Sequence, residues 1–343
     1  MSQETEFVIK SKPPKLHRRY TYVYVERGAW RVHTNRVWSL VEPAIDLADQ
    51  YLRTQHPTIQ QFCQEQLRRT TLSFFDTYPG RNLPREEEPE HHTPVSINII
   101  ERKHTNYLAD KLSLAKRVQK NKLEDYHPIT HFTKQQALEY SDKDRVLFIK
   151  ERSGTRGEGV SCVRSNDLEQ TEVPDSCIIQ ENVSNLSLFA NRKLVVRFYI
   201  LIYNQCVYIN RNGVAIVHGY DYDPESTEHK VQIQHNGKDA VIDRYPFPQH
   251  PSYDYWFEKT VESVKAFAPI FDDARKQSSL FRYLLIGADG LPCTDERMRL
   301  LEFNTYPNMM KPPMETPVYI PVFSSLLLYT MAGINNNAWV RVL

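Results

Sequence analysis

Glu302 and Asn304 stand two residues apart in the apolar run Leu300-Leu301-Glu302-Phe303-Asn304, with Asp289 upstream, behind Gly287-Ala288. Successive side chains of a strand alternate faces, so Glu302 and Asn304 share one face while Leu301 and Phe303 turn to a core. If the segment before Asp289 is the neighbouring strand and ends in a turn over Asp289-Gly290, three oxygen-bearing side chains meet on one sheet surface. Such a set suits a hard divalent cation. Magnesium takes one or two carboxylates and completes its shell with water and substrate phosphates, so the pattern points to ATP with Mg2+. The simpler alternative is an exposed strand residue followed by the turn before Pro307.

Cationic residues upstream fit the same chemistry. Val146-Leu147-Phe148-Ile149-Lys150 reads as a strand ending in lysine, followed by the turn Ser153-Gly154-Thr155-Arg156-Gly157-Glu158-Gly159. Glycine permits positive φ and close approach of backbone N–H groups, which is how phosphates are cradled; a plain hairpin turn is the alternative. The segment fits neither GxGxxG nor GxxxxGK[ST], so a Rossmann or P-loop assignment is not supported. In Lys193-Leu194-Val195-Val196-Arg197, residues Lys193, Val195 and Arg197 share a face. A guanidinium inside an apolar strand must meet a carboxylate, a phosphate or solvent at a cleft wall, or else form an internal salt bridge. Arg211, before Asn212-Gly213, is expected on the same wall.

The elements that must position these residues follow from pattern. Tyr20 to Glu26 and Thr71 to Phe75 read as strands, and Pro43 starts a helix carrying Ala44, Leu47, Ala48, Tyr51 and Leu52 up to Pro57. Val95 to Ile100 is a strand, Asn106 to Lys120 a helix with Leu108, Leu112 and Ala115 on one face, and Cys177 to Gln180 a strand. Leu194 to Tyr203 and Cys206 to Asn210 form a hairpin about Asn204-Gln205. A charged loop from His218 to Lys238 precedes a helix marked by Phe257, Val261, Val264 and Ala268, then a strand from Phe281 to Ile286 and an apolar segment from Val318 to Met331. The division expected is a small α/β unit over 1–94, a central unit over 95–183 and a C-terminal unit over 184–343, in an α/β (α+β) fold.

Composition adds exclusions. The 343 residues carry 43 basic and 42 acidic side chains, a net charge of +1, which argues against wholesale binding to nucleic acid or a membrane surface. Lys10 to Arg19 is a basic stretch and Arg85-Glu86-Glu87-Glu88-Pro89-Glu90 an acidic loop. His91-His92 reads as solvated rather than metal-binding. The five cysteines form no CxxC pair, so neither a zinc site nor a disulfide framework is indicated. The first residues do not resemble a secretory signal and the apolar runs are too short to span a bilayer, so a soluble, cytoplasmic protein is expected.

Taken in order, the lysine-tipped strand, glycine-rich turn, Ile178-Ile179-Gln180-Glu181-Asn182-Val183, the cationic strand pair, Gly287-Ala288-Asp289 and Leu301-Glu302-Phe303-Asn304 resemble an ATP-grasp enzyme of the tubulin tyrosine ligase family. The last two segments are similar to that family's magnesium-binding FGxD…LxEVN pattern, and Ala109-Asp110-Lys111-Leu112 resembles its ADKL stretch. The resemblance covers most of the chain and implies an ATP-grasp fold with a small N-terminal domain. It implies ATP contacts by Lys111, Lys150, Arg156, Gly157 and Lys193, an adenine-reading hinge at Gln180, Glu181 and Val183, and Mg2+ on Asp289, Glu302 and Asn304. Arg197 and Arg211 would hold the acceptor carboxylate or its acylphosphate. The implied reaction joins an amino acid, of tyrosine or glutamate type, to a protein or peptide carboxylate, tubulin among the candidates. The chain departs from the family's KFDIR at Val195 and from its HLTN at His229-Lys230-Val231-Gln232. Those departures keep open a catalytically inactive relative that binds nucleotide or a partner; related folds also keep open a phosphotransferase.

Overall fold

A computed structural model describes residues 8–9, 22–26, 29–33, 38–58, 70–73, 95–152, 159–233, 242–305, 307, 309 and 313–343. The basic stretch Lys10 to Arg19, the acidic loop with His91-His92, and the turn Ser153 to Glu158 lie outside the described residues.

The fold is mixed α/β. Five strands come from the N-terminal part: β1 (Val8–Ile9), β2 (Tyr22–Glu26), β3 (Ala29–His33), β4 (Thr70–Ser73) and β5 (Val95–Ile99). A second group comprises β6 (Thr130–His131), β7 (Val146–Glu151), β8 (Val160–Arg164) and β9 (Cys177–Glu181). The C-terminal part supplies β10 (Arg192–Tyr203), β11 (Cys206–Asp221), β12 (Ile242–Pro246), β13 (Arg282–Pro292), β14 (Met298–Asn304) and β15 (Trp339–Arg341). The first and third groups make one sheet in the order β1-β3-β2-β4-β5-β13-β10-β11-β12, with β14 on β13 and β15 on β11. The strand β5, assigned by pattern to the central unit, therefore joins β4 to β13, parallel to both. The second group forms an antiparallel sheet in the order β6-β9-β7-β8.

The apolar run of β10 is buried on both faces, as its composition requires. Val195, Tyr199 and Leu201 face the helices Trp38–Gln55 and Ile320–Ala332, while Leu194, Val196, Phe198 and Ile200 face Tyr253–Ala266 and Ala268–Gln277. Its hairpin with β11 turns at Asn204-Gln205, with φ of 48° and 61°. Positive φ at both central residues matches the right-handed strand twist, and asparagine tolerates it best after glycine. The four-stranded sheet packs Leu147, Ile149 and Ile179 on Ala137 and Leu168.

Several boundaries differ from the sequence pattern. The first helix begins at Trp38, so Pro43 lies inside it, and the buried stripe is Leu40, Ala44, Ile45, Ala48 and Leu52, leaving Leu47 40% exposed. The Asn106 to Lys120 segment breaks at Asp110, which is extended and accepts from the Ser113 N–H at 2.7 Å, starting a new helix at Lys111. β13 runs straight through Asp289-Gly290 instead of turning there, because paired strands on both sides outweigh the local turn preference. No helix among the described residues is long and apolar enough to cross a membrane.

Candidate functional site

Register fixes the floor of the site. Arg197 on β10 pairs across to Asp289 on β13, and Asp289 to Glu302 on β14. Asn304 stands opposite Gly287, one pair further along on the same face. Leu301 packs against a core, as the sequence led one to expect, and it does so as the extra residue of a bulge, since Asp289 pairs with Glu302 and Gly290 with Leu300. The bulge lets Leu300 and Phe303 both enter the core behind the sheet while Glu302 and Asn304 face forward.

The Arg197 guanidinium grips Asp289 bidentately, Nε to Oδ1 at 2.8 Å and Nη2 to Oδ2 at 2.7 Å. The side chains are 16% and 4% exposed, so the internal salt bridge left open by the sequence is the arrangement found. Burial pushes the Arg197 pKa down, but Asp289 outweighs it and holds the group firmly protonated. Glu302 Oε1 accepts from Asn304 Nδ2 at 3.2 Å.

The donor set can be tested against Mg2+ on these contacts. Glu302 and Asn304 present oxygens suited to a hard cation with water and phosphate in the remaining positions, whereas both Asp289 oxygens hold a guanidinium. Among the described residues no group of three or more His, Cys, Asp or Glu could hold a metal. The fit therefore rests on Glu302 and Asn304, with Asp289 orienting Arg197.

Two lysines lie at one end of this floor. Lys150 on β7 and Lys193 on β10 come from different sheets, and their ammonium groups lie 5.2 and 5.3 Å from the Phe148 ring centre. Lys150 donates to Gln180 Oε1 at 2.5 Å, and Lys193 to the Gln232 carbonyl at 3.1 Å. Burial pushes the pKa of Lys150 down to about 8; Glu302 opposes the shift and Lys111 adds to it. Lys193 is likewise pushed down to about 8, by burial and then by Lys150. Lys111, in the first turn of the helix capped by Asp110, thus belongs to the same electrostatic group. The cap is itself held by Arg152, at 3.2 Å from both Asp110 oxygens.

Other expected residues lie elsewhere. The Glu181 side chain turns to the far face of the four-stranded sheet, meeting His131 at 2.9 Å and Arg145 at 2.5 Å. These contacts and its hydrogen bonds hold its pKa below the usual range, although burial opposes this. Val183 is buried beside it, and the neighbouring Asn182 donates to Tyr222 Oη at 2.8 Å. Arg211 does not reach the Arg197 wall. It sits in an irregular stretch of β11 opposite Tyr199, and its guanidinium lies 5.3 Å from the Phe257 ring centre, on the other face of the sheet. Arg156 and Gly157 lie outside the described residues.

The structure also adds residues that no local pattern marked. His127 is buried beside Lys150, its Nδ1 donating to the Pro128 carbonyl at 2.8 Å, and burial pushes its pKa down to about 4, leaving the ring neutral. Cys162, paired with Phe148, has its thiol pushed up to about 11 by burial, against the pull of Lys193 and Lys150, so it is no thiolate nucleophile. Arg244 on β12 pairs with Ile216 and lies on the Arg197 face. Its signal in the sequence was a charged residue at an alternating position of Ile242-Asp243-Arg244-Tyr245. No protein-family model matches the chain, and no curated protein matches it.

Proposed function

We propose that the chain is an ATP-dependent carboxylate–amine ligase of the ATP-grasp type, joining an amino acid to a protein or peptide carboxylate. The observation that carries this reading is the convergence of Lys150 and Lys193, from two facing sheets, within the field of Lys111 and Glu302. Two lysines whose pKa values are pushed down by burial, with no ion pair to either among the described residues, suit an incoming polyanion, which would favour their charged form. In this reading Gln180 fixes the Lys150 ammonium, and the backbone from Glu181 to Val183 lies where an adenine edge would be read. Glu302 and Asn304 would hold Mg2+, which when bound neutralises charge on the transferring phosphate. Arg197, oriented by Asp289, presents its remaining N–H edge to the acceptor side. Phosphoryl transfer to a carboxylate needs positioning and charge neutralisation rather than a protein nucleophile, consistent with a neutral Cys162 and a neutral His127.

The test is mass spectrometry of a protein and peptide panel incubated with the chain, Mg-ATP and each amino acid. A mass increase of one amino-acid residue is expected with the native chain and none with Glu302→Gln; equal product from both would remove Glu302 from the chemistry. A second reading, nucleotide binding without ligation, is favoured by the full engagement of Asp289 with Arg197 and by Val195 in place of the family's aspartate. Its expected outcome is Mg-ATP binding with no adduct on any acceptor.

A further inference from the structure

A cavity of about 420 Å³ lies between the helix Lys111–Lys120, the edge strand β6 and the helix Lys134–Tyr140. A space of that size takes a small organic molecule. Ala115, Val118 and Pro128 give it an apolar wall, and Glu124 and His131 bring polar atoms to it. Neither Lys150 nor Lys193 lines it, so it is separate from the lysine end of the sheet floor.

Several polar groups around the cavity are already engaged. Thr130 Oγ1 donates to the Pro128 carbonyl at 2.9 Å and accepts from Gln180 Nε2 at 3.1 Å, and Gln136 Oε1 accepts from the Phe132 N–H at 2.9 Å. His131 differs. Its side chain is 7% exposed, and both of its contacts fall on Nε2, Glu181 Oε1 at 2.9 Å and Ser141 Oγ at 3.1 Å. The carboxylate keeps the proton on Nε2, so in the neutral ring Nδ1 carries a lone pair, and that atom has no partner among the described residues. A Ser-His-Glu relay needs its serine and its carboxylate on opposite ring nitrogens, so Ser141 is not an activated nucleophile. The exposed Glu124 carboxylate likewise has no hydrogen bond or ion pair among the described residues. His127, the other imidazole lining the cavity, spends its Nδ1 on the Pro128 carbonyl, and no metal-holding group of three is present among the described residues.

We infer that this cavity binds a small primary ammonium, with its N–H groups on His131 Nδ1 and the Glu124 carboxylate and its alkyl stem on Ala115, Val118 and Pro128. The site goes beyond the ligase reading and does not depend on it. Two acceptors stand unspent and no Lys or Arg lines the cavity, so Glu124 repels an anion and attracts a cation. An ammonium offers three donors and no acceptor, which matches a wall short of donors. The methylene groups of its stem leave water for the apolar wall, which adds to the affinity. Behind the ring, Arg145 holds the other Glu181 oxygen at 2.5 Å, so the carboxylate that orients His131 is itself held in place.

The experiment is a ligand-observed NMR titration of the whole chain at neutral pH with n-butylammonium, n-butanol and butyrate, three probes that share an alkyl stem and differ in charge. The native chain should bind n-butylammonium, bind n-butanol about fivefold more weakly, and not bind butyrate. Glu124→Gln and His131→Phe should each weaken n-butylammonium by about five- to tenfold. Where His131→Phe fails to fold, Glu124→Gln, a change at an exposed residue, carries the comparison. No n-butylammonium binding by the native chain, butyrate bound as tightly as the ammonium, or equal n-butylammonium affinity in the native and Glu124→Gln chains would each overturn the site.

Discussion

At the scale of single residues, the cleft is governed by where charge is neutralised internally and where it is not. Arg197 and Asp289 satisfy each other, whereas Lys150 and Lys193 hold protons only weakly. The sign of the consequence is definite. A lysine with a folded pKa near 8 and an ordinary value of 10.5 destabilises the fold below pH 8, and the penalty fades as pH rises towards 10.5. Lys193→Met should therefore be more stable than the native chain at pH 7, by an amount on the order of 1 to 3 kcal/mol, with the advantage shrinking between pH 8 and 10.5. Urea denaturation across that range checks it; an advantage constant with pH would show that Lys193 is fully charged in the fold. The lysines themselves were legible as strand residues pointing one way. The Arg197–Asp289 bond was not, because the partners are 92 residues apart and only strand register brings them together.

Elements decide which of these residues meet. The shared face of Glu302 and Asn304 on β14 was readable from their spacing, and on the apolar β10 the charged Lys193 and Arg197 marked the front face. Two features defeated the same logic. Asp289-Gly290 has the composition of a turn but lies in a strand paired on both edges, and Arg211 falls in an irregular stretch where β11 has more residues than β10, so counting along the strand gives the wrong face. Glycines at these places have distinct jobs. A Cβ on Gly213 would sit 2.6 Å from the Arg197 carbonyl oxygen, a backbone atom that cannot yield. On Gly290 it would meet Met298 Sδ at 2.7 Å, the far part of a flexible side chain. Gly213→Ala is thus expected to destabilise by about 2 to 4 kcal/mol and Gly290→Ala by about 1 kcal/mol, measured by chemical denaturation. The reverse order would mean that Met298 is locked and the hairpin yields. Helix boundaries were less legible than strand faces: Asp110 ends one short helix and caps the next by a side-chain bond that periodicity does not register.

On the scale of the whole molecule, the candidate site lies where two sheets with separate cores meet. Ligand bound between them links both, so saturating nucleotide should stabilise the chain as one unit. Mg-AMP-PNP at about a hundred times its Kd is expected to add about 2.7 kcal/mol to the unfolding free energy. Hydrogen exchange should slow in β7 and β10 together; slowing in β7 alone would place the ligand on the smaller sheet. The pairing of β5 with both β4 and β13 has a mechanical consequence. Main-chain hydrogen bonds run unbroken from β1 to β12, so the N-terminal strands and the carboxylate-bearing strands form a single frame, while among the described residues the strands of the four-stranded sheet pair only with one another. Lys193 rides on that frame and Lys150 on the smaller sheet, so any displacement of one sheet against the other would register first as a change in the separation of their two ammonium groups.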